Sequence, residues 1–267
     1  MPLEVIHQQA TTQRYDTPLL FIHGAWHGAW CWEAHFLPYF ADNGYNVYAL
    51  SLRGHGKSTP PQSVKFTSVS AYIEDVATVA DEIERETGRL PALIGHSMGG
   101  YIVQKYLEKR RAPAAALLTT IPVSGLLMFN LRLLSLLTIA PQALFQIIFT
   151  LKTYPLLGTP ALAKHWFFSD DMPMAEVEKW HAQMQNESIR VDFEATFTHL
   201  PKPRAIQPML VLAAEDDRVF TVAEQQKTAE AYGADFVLLP NIAHDIMLDT
   251  NWQQAAEALH DWLKQKL

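Results

Sequence analysis

The sequence predicts an α/β protein built on a doubly wound, mostly parallel sheet. Three observations carry that expectation. Short, fully apolar runs such as Pro18–Ile22, Asn46–Leu50 and Pro208–Ala214 have the texture of strands buried on both faces. Amphipathic helical stretches alternate with them, as crossover connections between parallel strands require. The stretch Leu93–Gly100 reads as strand, sharp turn and helix start, and its Gly95-His96-Ser97-Met98-Gly99 fits the G-x-S-x-G nucleophile-elbow pattern. Glycines two before and two after the serine are a steric requirement, because so tight a turn leaves no room for side chains there.

The 267 residues suffice for one large domain with an insertion, and 49% hydrophobic content supports a substantial core. A formal charge of −7 argues against a nucleic-acid partner. The single cysteine, Cys31, excludes an internal disulfide and reads as a small buried hydrophobe. The N-terminus lacks a basic region followed by an apolar run, so the expected location is cytoplasmic.

In chain order, Pro2–Gln9 reads as an edge strand and Pro18–Ile22 as a central one. A helix is expected from Trp30 to Asp42, closed by Asn43-Gly44. Asn46–Leu50 is a strand, followed by the glycine-punctuated loop Ser51–Ser58. Ser70–Thr87 places Tyr72, Val76, Val79 and Ile83 on one helical face and ends at Gly88. Ala114–Thr119 is another strand.

The rhythm then stops. From Pro122 to Leu200 the chain reads as helices only, and between Arg111 and Lys164 the sole charged residues are Arg132 and Lys152. Strands return at Pro208–Ala214 and Asp235–Leu239, each followed by a loop and a helix. The expected division is therefore a core of residues 1–121 and 201–267 with a helical insertion, 122–200. A membrane span within the insertion is disfavoured by Pro141, Arg132 and the insertion's place inside a domain. Weak membrane-surface contact is a reading its apolar texture allows. The sequence gives no oligomeric state.

In doubly wound sheets the chemistry collects beyond the carboxyl ends of the strands. His23, Ser97, Asp217 and His244 each fall just after an expected strand. A serine hydroxyl needs a base within hydrogen-bond reach, and a histidine in turn needs an orienting carboxylate. Downstream of Ser97, His244 is the histidine in a suitable loop; His165, His181 and His199 lie in the insertion and His260 within the last helix. Glu215, Asp216 and Asp217 are consecutive, and only one can turn inward. Asp217 is favoured, with Asp216 second. Developing negative charge would be met by the backbone N–H groups of Met98 and Ala25. His23 reads as a structural histidine bonding local backbone. No metal or cofactor pattern is present.

Together these residues make the chain similar to the α/β-hydrolase superfamily. The resemblance rests on His23-Gly24-Ala25, the Arg53–Ser58 loop, Gly95–Gly100, Asp217 and His244, and it spans nearly the whole length. His23–Trp32 is also similar to the plant methylesterase and hydroxynitrile lyase branch, and the elbow to lysophospholipase and monoacylglycerol lipase relatives. There are departures. Ser51 stands where relatives carry Asp, which bears on the loop beside the oxyanion site, and Ala214 where they often carry Gly.

The resemblance implies that the insertion is a lid, placed after the sixth strand, and that Ser97, His244 and Asp217 cleave carboxylic esters. The expected substrate is a small apolar ester, with Trp26, Leu127, Leu131, Phe145 and Phe149 as pocket candidates. Alternatives on the same fold are a lyase, a cofactor-free oxygenase or haloperoxidase, and a non-catalytic small-ligand receptor.

Overall fold

A computed structural model describes residues 2–58, 64–133, 140, 142, 145, 153–197 and 207–267. Its centre is a seven-stranded sheet: β1 (Glu4–Gln8), β2 (Leu19–Ile22), β3 (Val47–Ser51), β4 (Ala92–His96), β5 (Ala115–Leu118), β6 (Met209–Ala214) and β7 (Asp235–Leu239). The spatial order is β1-β3-β2-β4-β5-β6-β7. Only β1 runs antiparallel, pairing Glu4 with Ser51 and Gln8 with Val47. Strands β2 to β6 are buried at every position, which is why they are apolar without alternation.

Helices pack against both faces. Helix α3 (Val69–Thr87) begins at Ser68, whose side chain accepts from the Ala71 N–H, and stops at Gly88 with φ of 72°. Helix α4 (Met98–Leu107) follows the elbow, and the C-terminal helix, Trp252–Lys266, turns Ala255, Ala256, Leu259, Trp262 and Leu263 inward.

The helix expected over Trp30–Asp42 is two pieces, α1 (Trp30–Glu33) and α2 (Phe36–Asp42), with His35 outside the helical region at φ −136°, ψ −54°. Pro38 explains the break. In a continuous helix its ring would collide with the carbonyl of Ala34, and it has no N–H to give. Both pieces still feed the core: Phe21 of β2 packs on Trp32 at 5.0 Å and Phe40 at 5.6 Å. Truncating such a buried aromatic costs about 3–5 kcal/mol.

Between β5 and β6 the described residues form helices α5 (Leu127–Arg132), α6 (Pro160–Phe167), α7 (Met174–His181) and α8 (Ile189–Phe197). This insertion follows the fifth strand of the chain, not the sixth. The sheet has a single N-terminal edge strand before β2, so the strand count implied by the resemblance drops by one.

The edge strand is tied to the loops at the carboxyl end of β3, where Glu4 pairs with Ser51. Ser51 Oγ donates to Glu4 Oε2 at 2.6 Å and accepts from the Ala29 N–H at 2.8 Å. Glu4 Oε2 also accepts from the Lys57 N–H at 2.8 Å. The carboxylate missing at position 51 is thus supplied from β1.

Candidate active site

The parallel strands deliver their carboxyl ends to one rim, and four loops there carry the candidate residues. Ser97 leaves β4 in a strained conformation, φ 51°, ψ −115°, outside the regions open to ordinary residues. The flanking glycines permit it. A Cβ on Gly95 would lie 2.5 Å from the Gly99 carbonyl oxygen, and one on Gly99 would lie within 2.6 Å of the carbonyl oxygens of Ile22 and His23. Both obstacles are backbone and cannot swing aside.

Ser97 Oγ lies 3.0 Å from His244 Nε2, and His244 Nδ1 lies 2.9 Å from Asp217 Oδ2. The carboxylate can only accept, so Nδ1 carries the proton and Nε2 accepts from the serine hydroxyl. Asp217 Oδ1 is fixed by the N–H groups of Val219 at 2.7 Å and Phe220 at 3.0 Å. Its neighbours Glu215 and Asp216 are exposed, so among the three acids Asp217 is the one that reaches the imidazole. The His244 ring is held between Phe167 and Phe220, with ring centroids at 5.5 and 5.4 Å.

Behind this group lies a second, buried one. His27 Nε2 is 3.0 Å from Asp245 Oδ2, and His27 Nδ1 donates to the Ala25 carbonyl at 2.7 Å. Both ring nitrogens face acceptors, which suits the imidazolium form. Burial opposes that charge, but Asp245 outweighs it and holds the His27 pKa above its ordinary value. Burial likewise opposes ionisation of Asp245, and the charge and hydrogen bond of His27 outweigh it and hold the carboxyl below its usual range.

His96 is the opposite case. Burial first, then the neighbouring imidazole of His244, pushes its pKa down to about 3. It stays neutral and donates from Nε2 to the His244 carbonyl at 3.0 Å. His23 is also kept neutral by burial; it donates from Nδ1 to the Gly24 carbonyl at 2.7 Å and accepts from the Leu52 N–H at 3.0 Å. It is a structural histidine. Burial pushes the Cys31 thiol up, so it is no nucleophile.

Ligand atoms of His96, His244 and Asp245 come within 4.8 Å of one another, the spacing of a metal site. The His244 ring nitrogens are already taken by Ser97 and Asp217, and Asp245 Oδ2 by His27. That donor set does not fit a resident ion.

A narrow cleft of about 50 Å³, partly open to solvent, lies over Ser97 and His244. Ala25, Trp26 and Met98 line it on the core side. Met98 opens helix α4, so its N–H has no partner within the helix. From the insertion come Leu126 and Phe129, not the expected Leu127 and Leu131, which are each 50% exposed. Leu127 and Leu131 sit four residues apart on one side of α5, and the other side faces the cleft. Leu126, Leu127, Phe129 and Leu131 are all apolar, so their residue types give no sequence signal to choose between them. Phe145 is 65% exposed and is also absent from the cleft wall; Phe149 lies outside the described residues. Glu187 and Asp192 line the cleft and were not foreseen. Their local sequence marks them only as acids near the start of a helix, a pattern the helix dipole explains by itself.

Comparison with known sequences adds a family. The Alpha/beta hydrolase family profile matches residues 19–258. The chain belongs to that family. Among curated members it is 33% identical over 112 residues to the non-heme chloroperoxidase of Streptomyces lividans, covering 41% of this chain and 38% of that protein. It is 36% identical over 90 residues to Methylesterase 10 of Arabidopsis thaliana, covering 34% and 31%. The matches thus span about a third of the length of these relatives. Among solved structures, the monoacylglycerol lipase of Paleococcus ferrophilus aligns over 100% of both chains with a TM-score of 0.74 and 19% identity, a likeness of fold. Among the described residues no helix is long and apolar enough to cross a membrane.

Proposed function

We propose that this family member is a carboxylic ester hydrolase working through an acyl-enzyme on Ser97. The observation that carries the reading is the unbroken chain from Ser97 Oγ to His244 to Asp217, with hydrogen bonds of 3.0 and 2.9 Å and a proton placement that leaves Nε2 free to act as base. Ser97 Oγ attacks the ester carbonyl as His244 Nε2 takes its proton. Asp217 stabilises the imidazolium that forms. The carbonyl oxygen, now negative, is received by the N–H groups of Met98 and Ala25; one such donor is worth about 3–4 kcal/mol in the transition state. His244 returns the proton to the departing alcohol, and water, activated by the same imidazole, releases the acid.

The helical insertion acts as a lid over this site. Its Leu126 and Phe129, with Trp26 of the core, suit an apolar acyl or alcohol part. The names of the relatives support ester chemistry in the case of the methylesterase and the lipase. The similarity to the chloroperoxidase favours one second reading, a cofactor-free haloperoxidase using the same serine. One experiment separates them. Fluorophosphonate is expected to label Ser97, and p-nitrophenyl esters of rising chain length to be cleaved by the wild type but not by Ser97→Ala. Equal, slow cleavage by both proteins refutes the hydrolase; peroxide-dependent halogenation in its place supports the second reading.

A further inference from the structure

The backbones of Ser97 and His244 are fastened to one short stretch of chain that takes no part in the proposed chemistry. Where β5 ends, residues 118–121 run beside the elbow. Ser97 gives its N–H to the Leu118 carbonyl at 3.0 Å, and its own carbonyl accepts from the Ile121 N–H at 3.2 Å. Between those two anchors, the Thr119 hydroxyl donates to the His244 carbonyl at 2.9 Å. The separation of nucleophile and base is therefore set across a single turn.

Thr119 is strained there. Its φ is 40°, and it is fully buried. A β-branched residue at positive φ is an outlier, kept only where the surroundings over-determine it. They do so from two sides. The Thr119 N–H is bonded to the Leu212 carbonyl of β6 at 2.8 Å. The Gln225 side chain, from the helix Val222–Tyr232, clasps the next residue. Its Oε1 accepts from the Thr120 N–H at 3.2 Å, and its Nε2 donates to the Thr120 carbonyl at 2.6 Å. Gln104 of α4 donates to the Thr120 hydroxyl at 2.9 Å.

Glycine would take this backbone shape without strain. What threonine adds is a hydroxyl aimed at the His244 loop. The carbonyl it meets already has a partner, because His96 Nε2 donates to it at 3.0 Å. Two donors from neighbouring strands, His96 at the end of β4 and Thr119 just past β5, fix where that carbonyl lies rather than merely pair it.

We propose that Thr119 is a positioning residue for the reaction: through its hydroxyl it sets the approach of the His244 imidazole to Ser97 Oγ. Gln225 holds the strained turn that aims it. This rests on the ester-hydrolase reading and deepens it. Proton transfer from Ser97 to His244 needs hydrogen-bond contact, and a displacement of about 1 Å can cost about a hundredfold in rate. Thr119 does not line the cleft, so its loss leaves the substrate-binding wall as it is. An alignment used only in the transition state shows in kcat and not in KM.

The test uses the full chain and p-nitrophenyl butyrate. Thr119→Val keeps the β-branched shape and removes the hydroxyl. It is expected to lower kcat by about ten- to a hundredfold with KM within about twofold, and to slow fluorophosphonate labelling of Ser97 by a similar factor. Thr119→Ser keeps the hydroxyl and should recover both rates to within about threefold of the wild type. Should Thr119→Val fail to fold, Thr119→Gly, at ease at this φ and equally without the hydroxyl, carries the same expectation. Wild-type kcat and labelling in a folded Val or Gly variant overturn the inference and leave the hydrolase standing. So does a loss as large in Thr119→Ser as in Thr119→Val, or a raised KM with kcat unchanged. If the wild type is labelled but spares this ester, the labelling rates alone decide in the same way. A wild type that neither cleaves the ester nor is labelled at Ser97 overturns the hydrolase and this inference with it.

Discussion

Two imidazole–carboxylate pairs lie back to back in this protein, built on adjacent residues of one loop. His244 meets Asp217 at 2.9 Å, and Asp245 meets His27 at 3.0 Å. The chemistry of the contacts is the same and the surroundings are not. His244 has its second nitrogen on a serine hydroxyl at the floor of a cleft, whereas His27 has its own on a backbone carbonyl, sealed from solvent. A histidine with one acceptor and one hydroxyl partner is a neutral base in waiting. A histidine with two acceptors is a fixed cation. What each ring nitrogen faces, more than the presence of the carboxylate, sets whether such a pair moves protons or holds a loop.

The contrast can be broken from either side. Replacing His244 with Ala should abolish ester turnover, by about 10⁴-fold or more in kcat, with a melting temperature close to the wild type. Asp217→Asn should cost about 10³–10⁴-fold, because the amide can hold the wrong tautomer. Steady-state kinetics on one p-nitrophenyl ester measures both. Wild-type rates in either variant would deny the pair at the cleft its role.

Asp245→Asn should act on the other axis. Breaking a buried ion pair costs about 3–5 kcal/mol, so urea unfolding should shift strongly, while folded enzyme keeps its kcat within about tenfold. A variant of unaltered stability that had lost activity would invert the comparison.

The smallest effect is in pH. The raised pKa of His27 stabilises the fold fully below the unfolded value of 6.5, and that contribution fades as pH climbs through the folded value. The lowered pKa of Asp245 stabilises fully above the unfolded value of 3.8 and fades as pH falls through the folded one. The stability gap between wild type and Asp245→Asn should therefore be widest between about pH 4 and 6.5 and narrow on both sides. Denaturant midpoints across that range measure it; a constant gap would mean that the pair is not charged.

The pair at the cleft was legible in the sequence and the one behind it was not. Ser97 announces itself through Gly95 and Gly99, because the elbow's sterics dictate glycine at fixed offsets. His244 and Asp217 follow from strand order, since parallel strands put their trailing loops on one rim. Nothing local links His27 to Asp245, 218 residues away. That pairing exists only once β2 and β7 share a sheet. The cleft wall failed for another reason: Leu126, Leu127, Phe129 and Leu131 are close together and alike in character, so the two that face the cleft could not be told from the two that face away. The break at His35 was readable from Pro38 and its reach back to Ala34.

Glu4 gives the outermost strand a job beyond closing the sheet. Its carboxylate orders Ser51, whose hydroxyl receives the amide of Ala29, five residues past Gly24 on the segment that frames the reacting carbonyl. Trimming the leading residues would therefore be felt at the carboxyl rim of the sheet, as a loosened frame around the cleft, before the sheet itself gave way. Affinity tags and fusions belong at the other terminus.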